Sequence, residues 1–293
     1  MLTPTLEDGV LHPRYAVNIS TLFTELPLLD RPRAVAETGF AAVESWWPFD
    51  RPVPNDRDID GFVRAVEDAG VALVGLNFAA GDMSAGDRGL VSSPGRQAEF
   101  RDNVDVVVGI GERLGCRAFN ALYGNRVEDV PPEAQDDLAV ENLAAAGQAA
   151  ARIGATVLVE PVSGAPRYPL RTAGDAVAVL DRVSEATGVT ALGLLCDVYH
   201  LTVNEDDVQA VIETFGPRIA HVQVADAPGR HEPGTGSVDV HGHVQALLSR
   251  GYRGWVSLEY FPSGRSGDSF AWLPLEQRSA IGVGPATAEG GPS

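Results

Sequence analysis

Eight short apolar runs recur along the chain, and their spacing leaves few folds open. They are "YAVNIS" (15–20), "AAVESW" (41–46), "VALVGLN" (71–77), "RAFNAL" (117–122), "TVLVEP" (156–161), "LGLLCD" (192–197), "IAHVQVAD" (219–226) and "WVSLEYF" (255–261). Each is nearly continuous in apolar residues rather than alternating, which is the pattern of a parallel strand covered on both faces. Between them lie segments with helical apolar spacing, several closed by glycine: "TELPLLDRPRAVAETG", "DIDGFVRAVEDAG", "RQAEFRDNVDVVVGIGERLG" and "ENLAAAGQAAARIG". Eight strand and helix units within about 250 residues match a (β/α)8 TIM barrel. A doubly wound open sheet is the runner-up, but "NISTLFTE" follows the first strand where a G-x-G-x-x-G would stand. No linker divides the barrel, so one α/β domain is expected over 14–273. Residues 1–13 read as a loose extension, and 274–293, rich in Gly, Pro and Ala, as a disordered tail.

Charge and composition remove whole classes of function. A net charge of -18 opposes the basic surfaces that bind phosphates, so neither nucleic acid nor an anionic membrane is an expected partner. Lysine is absent and all 22 basic residues are arginine. Schiff-base aldolases, pyridoxal phosphate enzymes and P-loop proteins, which need a lysine, are thereby excluded. Cys116 and Cys196 lie far apart in apolar surroundings and read as small buried hydrophobes rather than a disulfide pair. No apolar stretch approaches the roughly 20 residues that span a bilayer, and the N-terminus lacks the features of a signal peptide, so the expected location is the cytoplasm.

In such barrels the chemistry sits at the C-terminal ends of the strands. Strand five ends in Glu160, strand six in Asp197, strand seven carries Gln223, and strand eight carries Glu259. Three carboxylates close together at low dielectric repel one another and take up protons unless a cation holds them. The expected cofactor is therefore one divalent metal ion. Oxygen-only ligands from Glu160, Asp197, Gln223 and Glu259 suit a hard ion, Mg²⁺ or Mn²⁺, better than zinc.

With "NISTLFTELP", "NFAAGDMSAGDRGLVSSPGR", "DVYH", "HVQVADAPGRHEPGTG" and "GWVSLEY" beside these strand ends, the chain resembles the hydroxypyruvate isomerase family over roughly residues 14 to 273. That family is a branch of the xylose-isomerase-like TIM barrels that also holds ketose 3-epimerases and 2-oxo-tetronate isomerases. The resemblance implies a metal held at Glu160, Asp197, Gln223 and Glu259, with the two glutamates as acid/base catalysts on opposite faces of the substrate. Relatives often carry histidine at the third position, and Gln223 favours the hydroxypyruvate isomerase branch. Phe261 stands where a basic residue commonly follows "EY", Ser237 where an acidic residue is expected, and Thr202 where many relatives have Gln.

The expected reaction is the conversion of hydroxypyruvate to tartronate semialdehyde by proton transfer through a metal-stabilised enediolate, using Glu160 and Glu259. The alternatives are a 2-oxo-tetronate isomerase or a ketose 3-epimerase, and, from another class, a non-catalytic sugar-binding barrel. Endonuclease IV-like nucleases share the barrel but use three zinc ions and many histidines, and the acidic charge here disfavours DNA. The resemblance makes His200 a substrate-oxygen contact. His221 points the same way as Gln223 but a layer deeper, so it is grouped with the substrate-binding residues chiefly to orient a neighbour. With no lysine available, Arg230 is the first choice to hold a substrate carboxylate, and Arg88 and Arg96 are alternatives. The long loop carrying the latter two reads as a lid or as a surface loop. Glu44 and Asn77, near strand ends, are placed against substrate hydroxyls or as helix caps. Trp46 and Trp47 wall the pocket or cover a subunit contact, which leaves a homo-oligomer open. His241 and His243 belong to a helix and do not face each other, so "HGH" is not read as a zinc site.

Overall fold

A computed structural model describes residues 6–7 and 10–278. Its centre is a closed barrel of eight parallel strands: β1 (Arg14–Asn18), β2 (Ala42–Ser45), β3 (Ala72–Asn77), β4 (Ala118–Asn120), β5 (Thr156–Val159), β6 (Leu192–Asp197), β7 (Ile219–Val224) and β8 (Trp255–Leu258). Every one of the eight apolar runs supplies a strand. Pairing of β8 with β1, from Trp255 against Arg14 to Leu258 against Val17, closes the cylinder and leaves no edge in the sheet.

Nine helices surround or follow the strands among the described residues: α1 (Arg31–Glu37), α2 (Asp56–Ala69), α3 (Gln97–Leu114), α4 (Pro132–Ala151), α5 (Ala173–Thr187), α6 (Val198–Val203), α7 (Val208–Phe215), α8 (Val240–Ser249) and α9 (Leu275–Arg278). Their starts follow local chemistry. Asn55 caps α2 through Asp58 N at 3.0 Å, and Thr172 and Asp175 form a reciprocal capping box on α5. Helix α4 begins at Pro132, well before the "ENLAAAGQAAARIG" segment. The residue buried by its first turns is polar, Gln135, which hides the start from apolar periodicity. None of these helices is long and apolar enough to cross a membrane. Cys116 and Cys196 are buried and free.

The loop between β3 and α3 is stapled down along much of its length. Asn103 of α3 accepts from Ala79 N, while Gln135 and Asn142 of α4 donate to Ser92 O and Val91 O. Within the loop, Leu90 and Val91 are fully buried. Three buried amides from two helices thus hold the segment that the sequence offers as a lid.

At the N-terminus Leu6–Glu7 pairs antiparallel with Val10–Leu11, within the stretch expected to be loose. At the other end α9 occupies part of the expected tail, and Arg278 ties it back by donating to Phe270 O at 2.7 Å and Leu273 O at 2.9 Å. The rest of that tail, 279–293, lies outside the described residues.

Candidate metal centre and active site

Strand register decides which side chains meet at the C-terminal mouth of the barrel. Asp197 and Gln223 are direct neighbours on β6 and β7, and Asn18 and Glu44 are neighbours on β1 and β2. Glu160 and Glu259 each follow the last residue of their strand, at 4% and 3% exposure. Asp197 also caps α6: its Oδ1 accepts from Tyr199 N at 2.8 Å and from His200 N at 3.2 Å. One oxygen therefore starts a helix and the other is left over.

The two glutamates have different supports. Asn120 donates to Glu160 Oε2 at 2.7 Å, and the Tyr168 hydroxyl, donating to Glu160 O at 3.0 Å, fixes the backbone. Glu259 Oε1 accepts from Asn18 Nδ2 at 3.2 Å and from the Trp46 indole, while Oε2 faces Arg230 Nη2 at 3.1 Å. Burial, with the Asp197 charge added, pushes the Glu160 carboxyl up to about 8 against the pull of Asn120. Glu259 is also raised, by burial first; Arg230 opposes the rise, and Asp197 and Glu160 add to it. Without a cation the cluster carries more negative charge than its surroundings can stabilise.

Three buried side-chain oxygens here have no hydrogen-bond partner among the described residues, Asp197 Oδ2, Gln223 Oε1 and Asn120 Oδ1, the last on the amide whose nitrogen supports Glu160. Buried acceptors are normally satisfied, so Asp197 Oδ2 and Gln223 Oε1, on paired positions of β6 and β7 beside raised carboxylates, have the chemistry of cation ligands. The end-to-end orientation of Gln223 is forced, because Glu44 Oε1, 2.5 Å from its other end, can only accept. Glu160, Asp197 and His200 bring potential ligand atoms within 4.8 Å of one another. His200 Nδ1 accepts from Ser163 N at 3.0 Å, so the neutral ring carries its proton on Nε2. Burial holds this imidazole down to about 4, with Asp197 opposing and Arg230 assisting, so it is neutral near pH 7. Its Nε2 is 3.6 Å from Asp197 Oδ2 and 3.8 Å from Glu160 Oε1.

Arg230 reaches the same cluster, with Nη2 3.6 Å from Asp197 Oδ2. Its guanidinium lies over the Tyr199 ring at 5.1 Å and the Phe261 ring at 5.8 Å. Phe261 donates its N–H to Arg230 O at 2.8 Å, so this departure from the family pattern packs on the arginine itself. Thr202 returns its hydroxyl to Val198 O at 2.7 Å and Ser237 is exposed. The arginine sits at φ 54°, a strained position for a side-chain-bearing residue, on a loop wrapped around Asp226. That carboxylate accepts from the backbone N–H groups of Ala227, Gly234, Gly236 and Val238 at 2.8–2.9 Å.

The structure brings Glu160, Asp197, Gln223, Glu259, His200 and Arg230 to one place, with Glu44 bonded to Gln223 and His221 bonded to Glu44, and holds Arg88, Arg96 and Trp47 in other contacts. Arg96 is bound to Asp87 and Glu99, and Arg88 to the carbonyls of Met83 and Asp87, so each is already engaged within its own loop. His221 Nε2 bonds Glu44 Oε2, both inside the barrel. Asn77 is buried at the end of β3 and joins none of the side-chain hydrogen bonds described for the cluster. Trp47 donates to Arg51 O and packs on Phe49. Trp46, named as a pocket wall or subunit contact, bonds Glu259, whereas Asn18, Asn120, Ser163 and Tyr199 were missed. Asn18 and Asn120 are the last residues of β1 and β4 but lie inside the apolar runs "YAVNIS" and "RAFNAL", so the strand-end rule passes over them. Ser163 has no strand-end signal.

The sequence profile described as xylose isomerase-like TIM barrel matches residues 32–275. A Streptomyces coelicolor protein provisionally named hydroxypyruvate isomerase is 51% identical, covering 93% of this chain and 99% of the relative. A 2-oxo-tetronate isomerase of Cupriavidus necator is 32% identical over 89% of this chain and 97% of its own. The hydroxypyruvate isomerase of Escherichia coli is 30% identical over 89% and 98%. Among solved structures, one described as an AP endonuclease of family 2 from Brucella melitensis superposes with a TM-score of 0.81 at 36% identity, covering 89% of this chain and 98% of that one. The chain therefore belongs to the xylose isomerase-like TIM barrel family, on its branch of hydroxypyruvate isomerase-like enzymes.

Proposed function

We propose that the protein is a metal-dependent hydroxypyruvate isomerase. The observation that carries this reading is the pair of orphaned oxygens, Asp197 Oδ2 and Gln223 Oε1, beside two glutamates of raised pKa. Glu160, Asp197, Gln223 and Glu259 would hold one Mg²⁺ or Mn²⁺, the hard ions that all-oxygen sites favour. Such an ion, when bound, supplies positive charge to the substrate oxygen on which negative charge develops. His200 stays outside this ligand set because its Nε2 bears a proton, and it donates to a substrate oxygen instead.

The chain's own residues move the protons. One of Glu160 and Glu259 removes a proton from C3 of hydroxypyruvate, and the other delivers a proton to C2 on the opposite face. The hydroxyl proton passes from O3 to O2, which leaves an aldehyde at C3 and balances the conversion to tartronate semialdehyde. Arg230, oriented by Tyr199 and Phe261, offers a planar guanidinium to the substrate carboxylate.

A 2-oxo-tetronate, the substrate class in the name of the C. necator relative, is the second reading. Product analysis by NMR in deuterated water separates the readings. Hydroxypyruvate turned over faster than 2-oxo-tetronates or free ketoses supports the proposal. Faster isomerisation of a 2-oxo-tetronate, exchange of a ketose C3 proton with inversion, or ligand binding without turnover would each replace it.

A further inference from the structure

Glu44 has no part in the proton transfers above, yet it is a carboxylate inside the barrel at 2% exposure. Room is made for it deliberately by the neighbouring strand. A methyl group on Gly75, its partner on β3, would come within 2.6 Å of Glu44 Oε2 and 2.9 Å of Cγ. Three donors converge on the carboxylate: Asn18 Nδ2 at 2.8 Å and Gln223 Nε2 at 2.5 Å on Oε1, and His221 Nε2 on Oε2. Asn18 cannot turn its amide round, because its Oδ1 already accepts from Ser20 N at 2.9 Å.

An unconstrained glutamine can present either end of its amide to a neighbour. Turned the wrong way, Gln223 would aim an NH₂ group at a cation. A carboxylate oxygen only accepts, so Glu44 takes the nitrogen and leaves Gln223 Oε1, buried and without a partner, for the metal. We propose that Glu44 is a positioning residue that sets the Gln223 amide with its oxygen toward the metal, an inference that rests on the metal reading above. Gly75 serves the same end by leaving the space that Glu44 occupies.

Two conservative substitutions separate orientation from charge. Glu44→Asp keeps the charge but shortens the reach by about 1.5 Å, which breaks the contact to the Gln223 nitrogen. Glu44→Gln loses the charge but keeps an acceptor toward Asn18 and Gln223, with its NH₂ facing a His221 ring whose proton moves to Nδ1. Binding of Mn²⁺ is titrated by the EPR signal of the free ion, with circular dichroism confirming the fold. Glu44→Asp is expected to weaken Kd by about 10- to 100-fold, the usual effect of losing a residue that supports a metal ligand, and Glu44→Gln to stay near the unsubstituted protein. Gly75→Ala, which displaces Glu44 from the other side, should weaken Kd in the same direction as Glu44→Asp. Tight binding by Glu44→Asp, or a loss in Glu44→Gln as large as that in Glu44→Asp, overturns the positioning role while leaving the metal reading intact. Failure of the unsubstituted protein to bind Mn²⁺ overturns both.

Discussion

At the scale of single residues, the site is built by giving each oxygen one defined task. Asp197 spends Oδ1 on the start of α6 and keeps Oδ2 free; Glu160 is steadied by Asn120 and Glu259 by Asn18 and Trp46. Glu160→Gln and Glu259→Gln preserve shape and remove the titrating oxygen. Each should lower kcat by about 10²- to 10⁴-fold while the circular dichroism spectrum is unchanged. Arg230→Ala should act mainly on KM for hydroxypyruvate, and Arg230→Lys should restore little, because the stacked planar group between Tyr199 and Phe261 is lost. Steady-state kinetics on the two variants checks both expectations. That Glu160, Asp197 and Glu259 would gather was readable because a charge at the end of an apolar run is anomalous in itself. Their supports were not, since Asn18 meets Glu259 across 241 residues of sequence and Ser163 meets His200 across 37.

At the scale of elements, the loop between β7 and α8 carries Arg230, so under the proposed function substrate binding would depend on it. Asp226 collects four backbone N–H groups and so shapes the turn that holds Arg230 at its positive φ. Burial would raise this carboxyl, but those four bonds keep it below the ordinary 3.8. Its stabilisation of the loop is therefore fully present above that pH and is lost as the pH falls below it. Asp226→Ala, which removes every acceptor at once, should make the loop the first site of limited proteolysis and reduce kcat/KM by at least about tenfold, as loss of support for a binding group does. Cleavage elsewhere with full activity would contradict this role. Strands were legible from their unbroken apolar character, which burial on both faces imposes. The start of α4 and the stapling of the β3–α3 loop were not, because both depend on polar residues, Gln135, Asn142 and Asn103, whose burial only the packed helices reveal.

For the whole molecule, closing eight strands into a cylinder is what brings the distant Glu160, Asp197, Gln223 and Glu259 together, and the burial and mutual repulsion of the three carboxylates tie stability to pH. With a chelator present, Glu160, raised from 4.5 to about 8, stays protonated in the folded chain where the unfolded chain has lost that proton. The folded state then binds more protons across that window, so stability falls as pH climbs from about 4.5 to about 8. Added Mn²⁺ should raise the thermal midpoint most at the upper end of the window, where binding displaces fewest protons. Differential scanning calorimetry at several pH values would follow it. The central claim is that one cation is held by oxygens from β5 to β8, and anomalous diffraction from crystals grown with Mn²⁺ tests it most directly. The account predicts a single peak ligated by Glu160, Asp197, Gln223 Oε1 and Glu259, with His200 Nε2 outside the coordination shell. A peak ligated by His200 with Gln223 turned away, or no peak among these residues, would contradict it.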